Sequence, residues 1–170
     1  MEMKQQKQTN GTVYEEVNKL NVFKAIDDFL SVHQNKNVLV AFDYSGSMNS
    51  TEVTETFHII VDHIKKTHNL TVVFTDTDIL WISSTQNFVM VPFEGGGSDF
   101  EKPFEWAIKK GYDAVIYLTD GFSMAPHNEP LPTLWLIDEN DRGSADYLVS
   151  KEDLKKINWG QFVTIASTPN

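Results

Sequence analysis

An unbroken apolar run, Val38–Phe42, ends abruptly in a polar segment rich in oxygen-bearing side chains. A run without polar alternation is typical of a strand buried on both faces, as in a parallel sheet covered by helices. Comparable apolar runs recur at residues 70–74, 114–119 and 133–137, and helical patterns lie between them. The sequence therefore predicts an α/β fold with a doubly wound, mostly parallel central sheet flanked by helices.

Three amphipathic helices are predicted from apolar residues that recur at three- and four-residue steps. The first helix carries Tyr14, Val17, Leu20, Phe23, Ile26, Phe29 and Leu30. The second carries Phe57, Ile60, Val61 and Ile64, and the third carries Phe100, Phe104, Ala107 and Ile108. Ser98 or Asp99 is expected to cap the third helix, whose first turn accommodates Pro103.

The other segments predict one domain with a polar tail. Residues 1–11 lack apolar periodicity and are expected to be a flexible tail, whereas residues 12–170 form a single domain that includes the N-terminal helix. A short strand is expected at 79–82, an extended piece at 88–92 and a last strand at 161–166. Residues 139–150 are expected to form a loop, and 151–157 a short helix.

Charge and cysteine content narrow the classes of function and compartment. The formal net charge of −10 disfavours nucleic acid and anionic lipid as partners. The absence of cysteine excludes disulfides, zinc–thiolate sites and iron–sulfur clusters. The N-terminus has no signal-peptide core, and no apolar run approaches the ~18 residues of a membrane span. We therefore expect a cytoplasmic protein without membrane association.

Three oxygen-bearing side chains follow the first predicted strand at a spacing of two residues: Asp43, Ser45 and Ser47. The carboxyl edge of an open α/β sheet is where ligands bind. One carboxylate and two hydroxyls form a hard-oxygen set that suits Mg²⁺, Mn²⁺ or Ca²⁺ better than Zn²⁺. The same residues also suit a helix N-cap and a polar turn, so this segment alone leaves both interpretations open.

Two later polar segments, Gly97-Ser98-Asp99 and Thr119-Asp120-Gly121, also accompany elements of the predicted sheet. If the strands at 38–43 and 114–119 are neighbours, all three segments meet at one edge. A shared edge favours a metal site over separate caps and turns. Asp99 fits a cap better than a ligand, and Asp76 and Asp78 are interpreted as solvated turn residues.

The ordered set, a DxSxS pattern, then Ser98, then Thr119-Asp120-Gly121, resembles the metal-ion-dependent adhesion site (MIDAS) of von Willebrand factor A (VWA) domains, which have a Rossmann-like fold. The resemblance covers about residues 38–166. The sequences GGGSDF, LTDGF and WGQFVTI are similar to the C-terminal VWA-like domain of bacterial proteins described as metallopeptidases. Those proteins resemble partners of MoxR-type AAA+ ATPases.

The resemblance implies a metal set of Asp43, Ser45, Ser47, Ser98 and Asp120. Ser45 and Ser47 would bind the ion directly, and Asp43 and Asp120 would hold it directly or through water. Ser98 stands where the family usually has Thr, so the hydroxyl is kept and the methyl group is lost. The implied function is a Mg²⁺-dependent interaction module that captures an Asp or Glu of a protein partner, such as an AAA+ ATPase or its client.

Two other functions remain open from the sequence. A metal-dependent hydrolase would need a Glu or His to activate water, and the five histidines show no diagnostic metal-binding spacing. In longer members of the similar family, the catalytic portion lies upstream of the VWA-like part, whereas only residues 1–37 precede it here, which favours a non-enzymatic role. A decoy or structural subunit that competes with a longer homologue is the second alternative.

Overall fold

The computed structural model describes residues 20–92, 96–121, 126, 128–138 and 159–165, and its central feature is one six-stranded sheet. The strands lie in the order β3-β2-β1-β4-β5-β6, and all neighbours are parallel except β2 and β3. Their bounds are β1 Val38–Asp43, β2 Thr71–Thr75, β3 Ile79–Ser84, β4 Ala114–Thr119, β5 Thr133–Asp138 and β6 Gln161–Ile165. The predicted α/β fold with a mostly parallel sheet is confirmed.

Helices cover both faces of this sheet. Helix α1 includes residues 20–32, α2 spans Thr51–Ile64 and α3 spans Glu101–Lys110, and a 3-10 turn at Gly46–Met48 connects β1 to α2. Side chains of α1 and α2 pack with Val40 and Phe42 on one face, whereas α3 packs with Leu39 and Ala41 on the other. Because successive strand residues point to opposite faces, β1 contributes to both cores and is entirely buried.

Several helix residues depart from the predicted apolar faces. Leu20 and Ile108 fit the helical spacing but are exposed, whereas Val22 is buried instead. All four apolar residues predicted for α2 are buried. Spacing identifies the apolar side of a helix only approximately, and the residues at the border of that side are decided by how the helix lies on the sheet.

The N-terminus of α3 partly matches the predicted cap. Phe100 occupies the N-cap position and its side chain forms no capping bond, but Asp99 Oδ1 accepts a hydrogen bond from the backbone N–H of Glu101 at 2.9 Å. Asp99 therefore satisfies one free donor of the first turn. Pro103 lies in that first turn, as predicted, and is buried.

Two predicted extended segments need correction. The segment 88–92 is not a strand; instead, Phe88, Met90 and Val91 pack against the core on the α2 face. The strand predicted at 70–74 begins one residue later and ends at Thr75. The tail at 1–11, the loop at 139–150 and the helix at 151–157 lie outside the described residues, as does Ala166.

Within the described ranges, no helix combines the length and apolar character needed to cross a lipid bilayer.

Candidate metal site

The site is built around Asp43, the last residue of β1, which lies between β2 and β4. In the sheet register Asp43 is opposite Thr75 of β2, and Leu118 of β4 is opposite the preceding residue, Phe42. The pairing of β1 with β4 that would bring the three polar segments to one edge is therefore present. The carboxyl ends of the parallel strands lie at this edge, which is where open α/β sheets bind ligands.

Hydrogen bonds from two loops and the end of β4 converge on the Asp43 carboxyl group, which is almost completely buried. Oδ1 accepts a bond from the backbone N–H of Ser45 at 3.0 Å, and the Ser98 hydroxyl donates to the same oxygen at a longer 3.5 Å. Oδ2 accepts a short bond, 2.6 Å, from the Thr119 hydroxyl. These contacts fix the orientation of the carboxyl group.

Thr119 is the residue at this edge that the predicted site omits. Its hydroxyl donates to Asp43 and accepts a 2.9 Å bond from the backbone N–H of Gly121, so it ties the end of β4 to the end of β1. In the sequence, Thr119 is marked only as the first residue of the Thr119-Asp120-Gly121 segment. A Thr at the end of an apolar strand is too common for that place to reveal a partner in another strand.

Ser45 and Ser47 lie together after β1. Their hydroxyl oxygens are 3.3 Å apart, and Ser45 is buried whereas Ser47 is exposed to solvent. The 3-10 turn that contains Ser47 brings the two side chains to the same side. Ser47 is therefore the solvent-facing member of the set.

Asp120 follows β4 directly and is buried. Burial is the main reason that the pKa of Asp43 is raised to about 6, and the negative charge of Asp120 raises it further, whereas hydrogen bonds from Ser45 and Thr119 oppose the shift. The two carboxyl groups are thus close enough to repel each other. A buried pair of this kind disfavours full ionisation.

The loop that carries Ser98 is held by backbone contacts with both neighbouring loops. Gly96 O accepts a bond from Gly46 N–H at 3.0 Å, and Asp76 O accepts one from Asp99 N–H at 2.9 Å. A Cβ at Gly96 would lie only 2.3 Å from Asp76 Oδ2, so any larger residue there would displace the Asp76 side chain. Asp76, left out of the predicted metal set, therefore helps to hold the Ser98 loop.

The structure thus brings the predicted site residues to one edge. Asp43, Ser45, Ser47 and Ser98 are linked by hydrogen bonds, and Asp120 acts on Asp43 through its charge. Among the described residues, no three His, Cys, Asp or Glu side chains form a group that could hold a metal. Three of the five predicted donors are hydroxyl groups, and the other two are carboxyl groups.

Apolar residues beside an ion could form a docking rim for a partner, and Tyr44, Phe122 and Met124 adjoin the predicted metal residues in the sequence. Tyr44 is buried in the core beside Phe74, and its hydroxyl donates to the backbone carbonyl of Val91, so it does not form an exposed rim. Phe122, Met124 and His127 lie outside the described residues.

A family comparison covers the sheet and the site. A family model described as VWA-like domain (DUF2201) matches residues 38–165, from the first residue of β1 to the last residue of β6. The chain belongs to this family. The matched part of this VWA-like domain includes all five predicted metal-site residues. A comparison with curated proteins finds no match.

Without divalent ions, the contribution of Asp43 to stability is expected to decrease between about pH 4 and about pH 6. Its pKa rises from the ordinary 3.8 to about 6 in the folded protein. In this range the folded protein binds the proton more tightly than the unfolded chain, so the free energy of unfolding falls as pH rises. The total loss is about 3 kcal/mol once the pH exceeds the folded pKa.

Urea unfolding of wild type and Asp43→Asn in EDTA, over this pH range, measures the effect. The difference in unfolding free energy between the two proteins removes the contributions of titrating groups that do not interact with Asp43. It should favour the Asn variant increasingly as pH rises. A difference that does not change with pH would contradict the raised pKa.

Proposed function

We propose that this VWA-like domain binds a divalent cation through Asp43, Ser45, Ser47, Ser98 and Asp120, and that the ion captures an Asp or Glu side chain of a protein partner. Mg²⁺ is the proposed ion, with Mn²⁺ or Ca²⁺ as alternatives. The observation that carries the proposal is the convergence of the Ser45 N–H and the Ser98 hydroxyl on the buried Asp43 carboxylate, beside the adjoining hydroxyls of Ser45 and Ser47. The negative charge of Asp120, which acts on Asp43, gives the site a second carboxylate and further supports the proposal.

The chemistry of these donors fits a hard divalent cation. Carboxylate and hydroxyl oxygens are the ligand types that Mg²⁺ and Ca²⁺ prefer. A cation between Asp43 and Asp120 would remove the repulsion that raises the pKa of Asp43, and it would offset the cost of burying this charge. Three of the five donors are neutral, so the ion would keep much of its positive charge for an external carboxylate.

Each residue has a distinct role in this proposal. The Ser45 N–H and the Thr119 hydroxyl hold the Asp43 carboxylate in one orientation before any ligand binds. The Gly46–Gly96 backbone bond keeps the Ser98 loop beside the Ser45 loop. A bound ion supplies an open coordination position for the partner's carboxylate. Ser47 marks the accessible side, because it is the exposed hydroxyl of the pair.

The acidic character of this chain agrees with a role for the ion in partner recognition. With a net charge of −10, direct approach of an acidic partner segment is repulsive, and a divalent cation at the contact converts that repulsion into attraction. The family resemblance makes an AAA+ ATPase or its client the partner that we propose to test first. We propose the cytoplasm as the compartment of this interaction.

The proposal predicts that binding of Mg²⁺ depends on Asp120 and not on its neighbour Asp76. Titration calorimetry with Mg²⁺ alone should show one site in wild type, an affinity at least about 30-fold lower in Asp120→Asn, and unchanged binding in Asp76→Asn. Asp76→Asn is the matched control, because it makes the same chemical change at the same edge of the sheet. Asp76 Oδ1 accepts from the Asp78 N–H, which Asn can preserve.

Capture of a carboxylate is then tested with peptides. Peptides selected on the Mg²⁺-loaded protein should contain an Asp or Glu whose change to Asn or Gln abolishes binding, and EDTA should abolish binding too. No Mg²⁺, Mn²⁺ or Ca²⁺ binding by the wild type would refute the metal site. Metal binding without any carboxylate-dependent peptide would refute the capture role alone.

A further inference from the structure

A hydrogen bond between two buried side chains spans β1 on the α3 face of the sheet. The hydroxyls of Thr75 in β2 and Tyr117 in β4 are 2.9 Å apart, and either can be the donor. β1 lies between these two strands, and in the sheet register Thr75 is opposite Asp43. Tyr117 is opposite Ala41, whose small methyl group leaves room for the bond to pass over β1. The Thr75–Tyr117 bond therefore joins the two strands that flank Asp43.

Aromatic packing fixes the position of the Tyr117 hydroxyl. The centre of the Tyr117 ring lies 5.2 Å from that of Trp135, 5.3 Å from that of Phe100 and 6.1 Å from that of Phe104. A buried ring that is packed on several sides is held in one rotamer, so its hydroxyl is directed at Thr75. Phe100 follows Ser98 by two residues, so the same packing also connects Tyr117 to the Ser98 loop.

The Tyr117 hydroxyl is close enough to the site for the charge of Asp43 to act on it. Burial raises the pKa of Tyr117 well above its ordinary value, and the negative charge of Asp43 raises it further, whereas the hydrogen bond with Thr75 opposes the shift. The phenol is therefore neutral and adds no charge beside the site. Its contribution there is a hydrogen bond.

Thr75 also contacts the backbone next to Asp43. Its carbonyl accepts a 2.6 Å bond from the N–H of Tyr44, the residue that follows Asp43. On the other side of β1, the Thr119 hydroxyl donates to Asp43 Oδ2. The end of β1 is thus held by β2 through Thr75 and by β4 through Thr119. The bond from Tyr117 keeps these two neighbouring strands at a fixed separation.

We propose that Tyr117 is a positioning residue of the metal site: through its bond to Thr75 it holds the ends of β2 and β4 at the spacing that keeps the Asp43 carboxylate ready for the ion. This role rests on the proposed function, because it concerns the affinity of the same site for Mg²⁺. Without the Thr75–Tyr117 bond the strand ends can move apart. The ion must then restore their arrangement on binding, which lowers its affinity.

Titration calorimetry of the full chain with Mg²⁺ at pH 8 tests the effect on affinity. Tyr117→Phe and Thr75→Val each remove one hydroxyl at nearly constant volume and should weaken Mg²⁺ binding by about 10-fold. The double variant should bind as either single variant does, because both changes break the same bond. Thr75→Ser keeps the hydroxyl and should bind like wild type. Tyr112→Phe is the matched control, because it makes the same change before the other end of β4.

Amide hydrogen exchange in EDTA tests the same bond without any ion. The Ser45 N–H donates to Asp43 Oδ1, so its exchange rate reports how firmly this carboxyl group is held. Exchange at Ser45 should be about 10-fold faster in Tyr117→Phe than in wild type. The change should be smaller at Thr85, whose N–H donates to the Leu70 carbonyl near the other end of β2.

The outcomes separate the positioning role from the proposed function. Wild-type Mg²⁺ binding with unchanged affinity in Tyr117→Phe would overturn the positioning role and leave the metal site intact. Additive losses in the double variant, or equal acceleration of exchange at Ser45 and Thr85, would also overturn it, since the first shows separate effects and the second a general loss of stability. A wild type that binds no Mg²⁺ would refute the metal site and the effect on affinity, whereas the exchange rates would still confirm or refute the hold on Asp43.

Discussion

The Asp43→Asn variant is expected to be more stable than wild type without divalent ions and to gain nothing from Mg²⁺. Burial and the charge of Asp120 raise the pKa of Asp43 to about 6, so its ionised form at pH 8 is costly. The neutral amide removes a cost of about 3 kcal/mol, and its oxygen can still accept from the Ser45 N–H. Its NH2 group cannot accept the Thr119 hydroxyl, and the loss of that bond offsets about 1 kcal/mol of the gain. The same change removes the central anionic ligand of the proposed site.

Wild type should be less stable than the variant without divalent ions, and it should gain stability from Mg²⁺. Mg²⁺ at 100 times its dissociation constant stabilises a protein that binds it only in the folded state by about 2.7 kcal/mol. The order of melting temperatures should therefore be variant above wild type in EDTA, with the difference reduced or abolished in Mg²⁺. The measurement is thermal unfolding at pH 8 in both conditions.

The Asp76→Asn control should respond to Mg²⁺ like wild type. Asp76 lies at the same edge but acts mainly by accepting the Asp99 N–H through its backbone carbonyl, which the substitution keeps. If wild type and Asp43→Asn responded equally to Mg²⁺, Asp43 would have no role in binding the ion.

Phe42→Ala is expected to lower the free energy of unfolding by about 3–5 kcal/mol, the largest effect on stability that we predict for one substitution. Phe42 is completely buried on β1, and its ring stacks on Phe57 at 4.1 Å between centroids. It also contacts Phe74 and Phe88. Removing this ring leaves a cavity between the sheet and α2. The surrounding residues cannot fill it easily, because they belong to strands and helices that cannot move independently.

Urea unfolding in EDTA measures this effect. Phe162→Ala makes the same chemical change on β6, where the side chain is 46% exposed, and it should cost about 1 kcal/mol or less. Phe42→Leu keeps most of the volume and should fall between the two. Similar losses in Phe42→Ala and Phe162→Ala would contradict the central position of Phe42 in the core.

The strands of this domain could be predicted well because their burial is visible in the chain itself. β1 and β4 are covered on both faces, so their apolar runs have no polar alternation. β3 shows the limit of this reasoning. Its apolar residues predict a strand, but they do not reveal that Leu80, Trp81 and Ile82 lie exposed at the edge of the sheet.

The residues of the candidate site could be predicted from the sequence, but the contacts between them could not. The positions of the polar residues after β1 and β4 could be predicted, because each group directly follows a recognisable strand. The bond from Thr119 to Asp43 joins residues 76 positions apart, and the Gly46–Gly96 contact joins two loops. Neither contact has a local signal, because each partner is an ordinary turn or strand-end residue.

By itself, the sequence determined the α/β class, the run of buried strands and the three polar segments, since these depend on hydrophobic pattern and on short-range turn chemistry. Only the tertiary structure decided that β1 lies between β2 and β4, that Thr119 orients Asp43, and that β3 leaves an apolar edge uncovered. These features depend on strand order, which is set by the packing of distant segments and leaves no mark within any one of them.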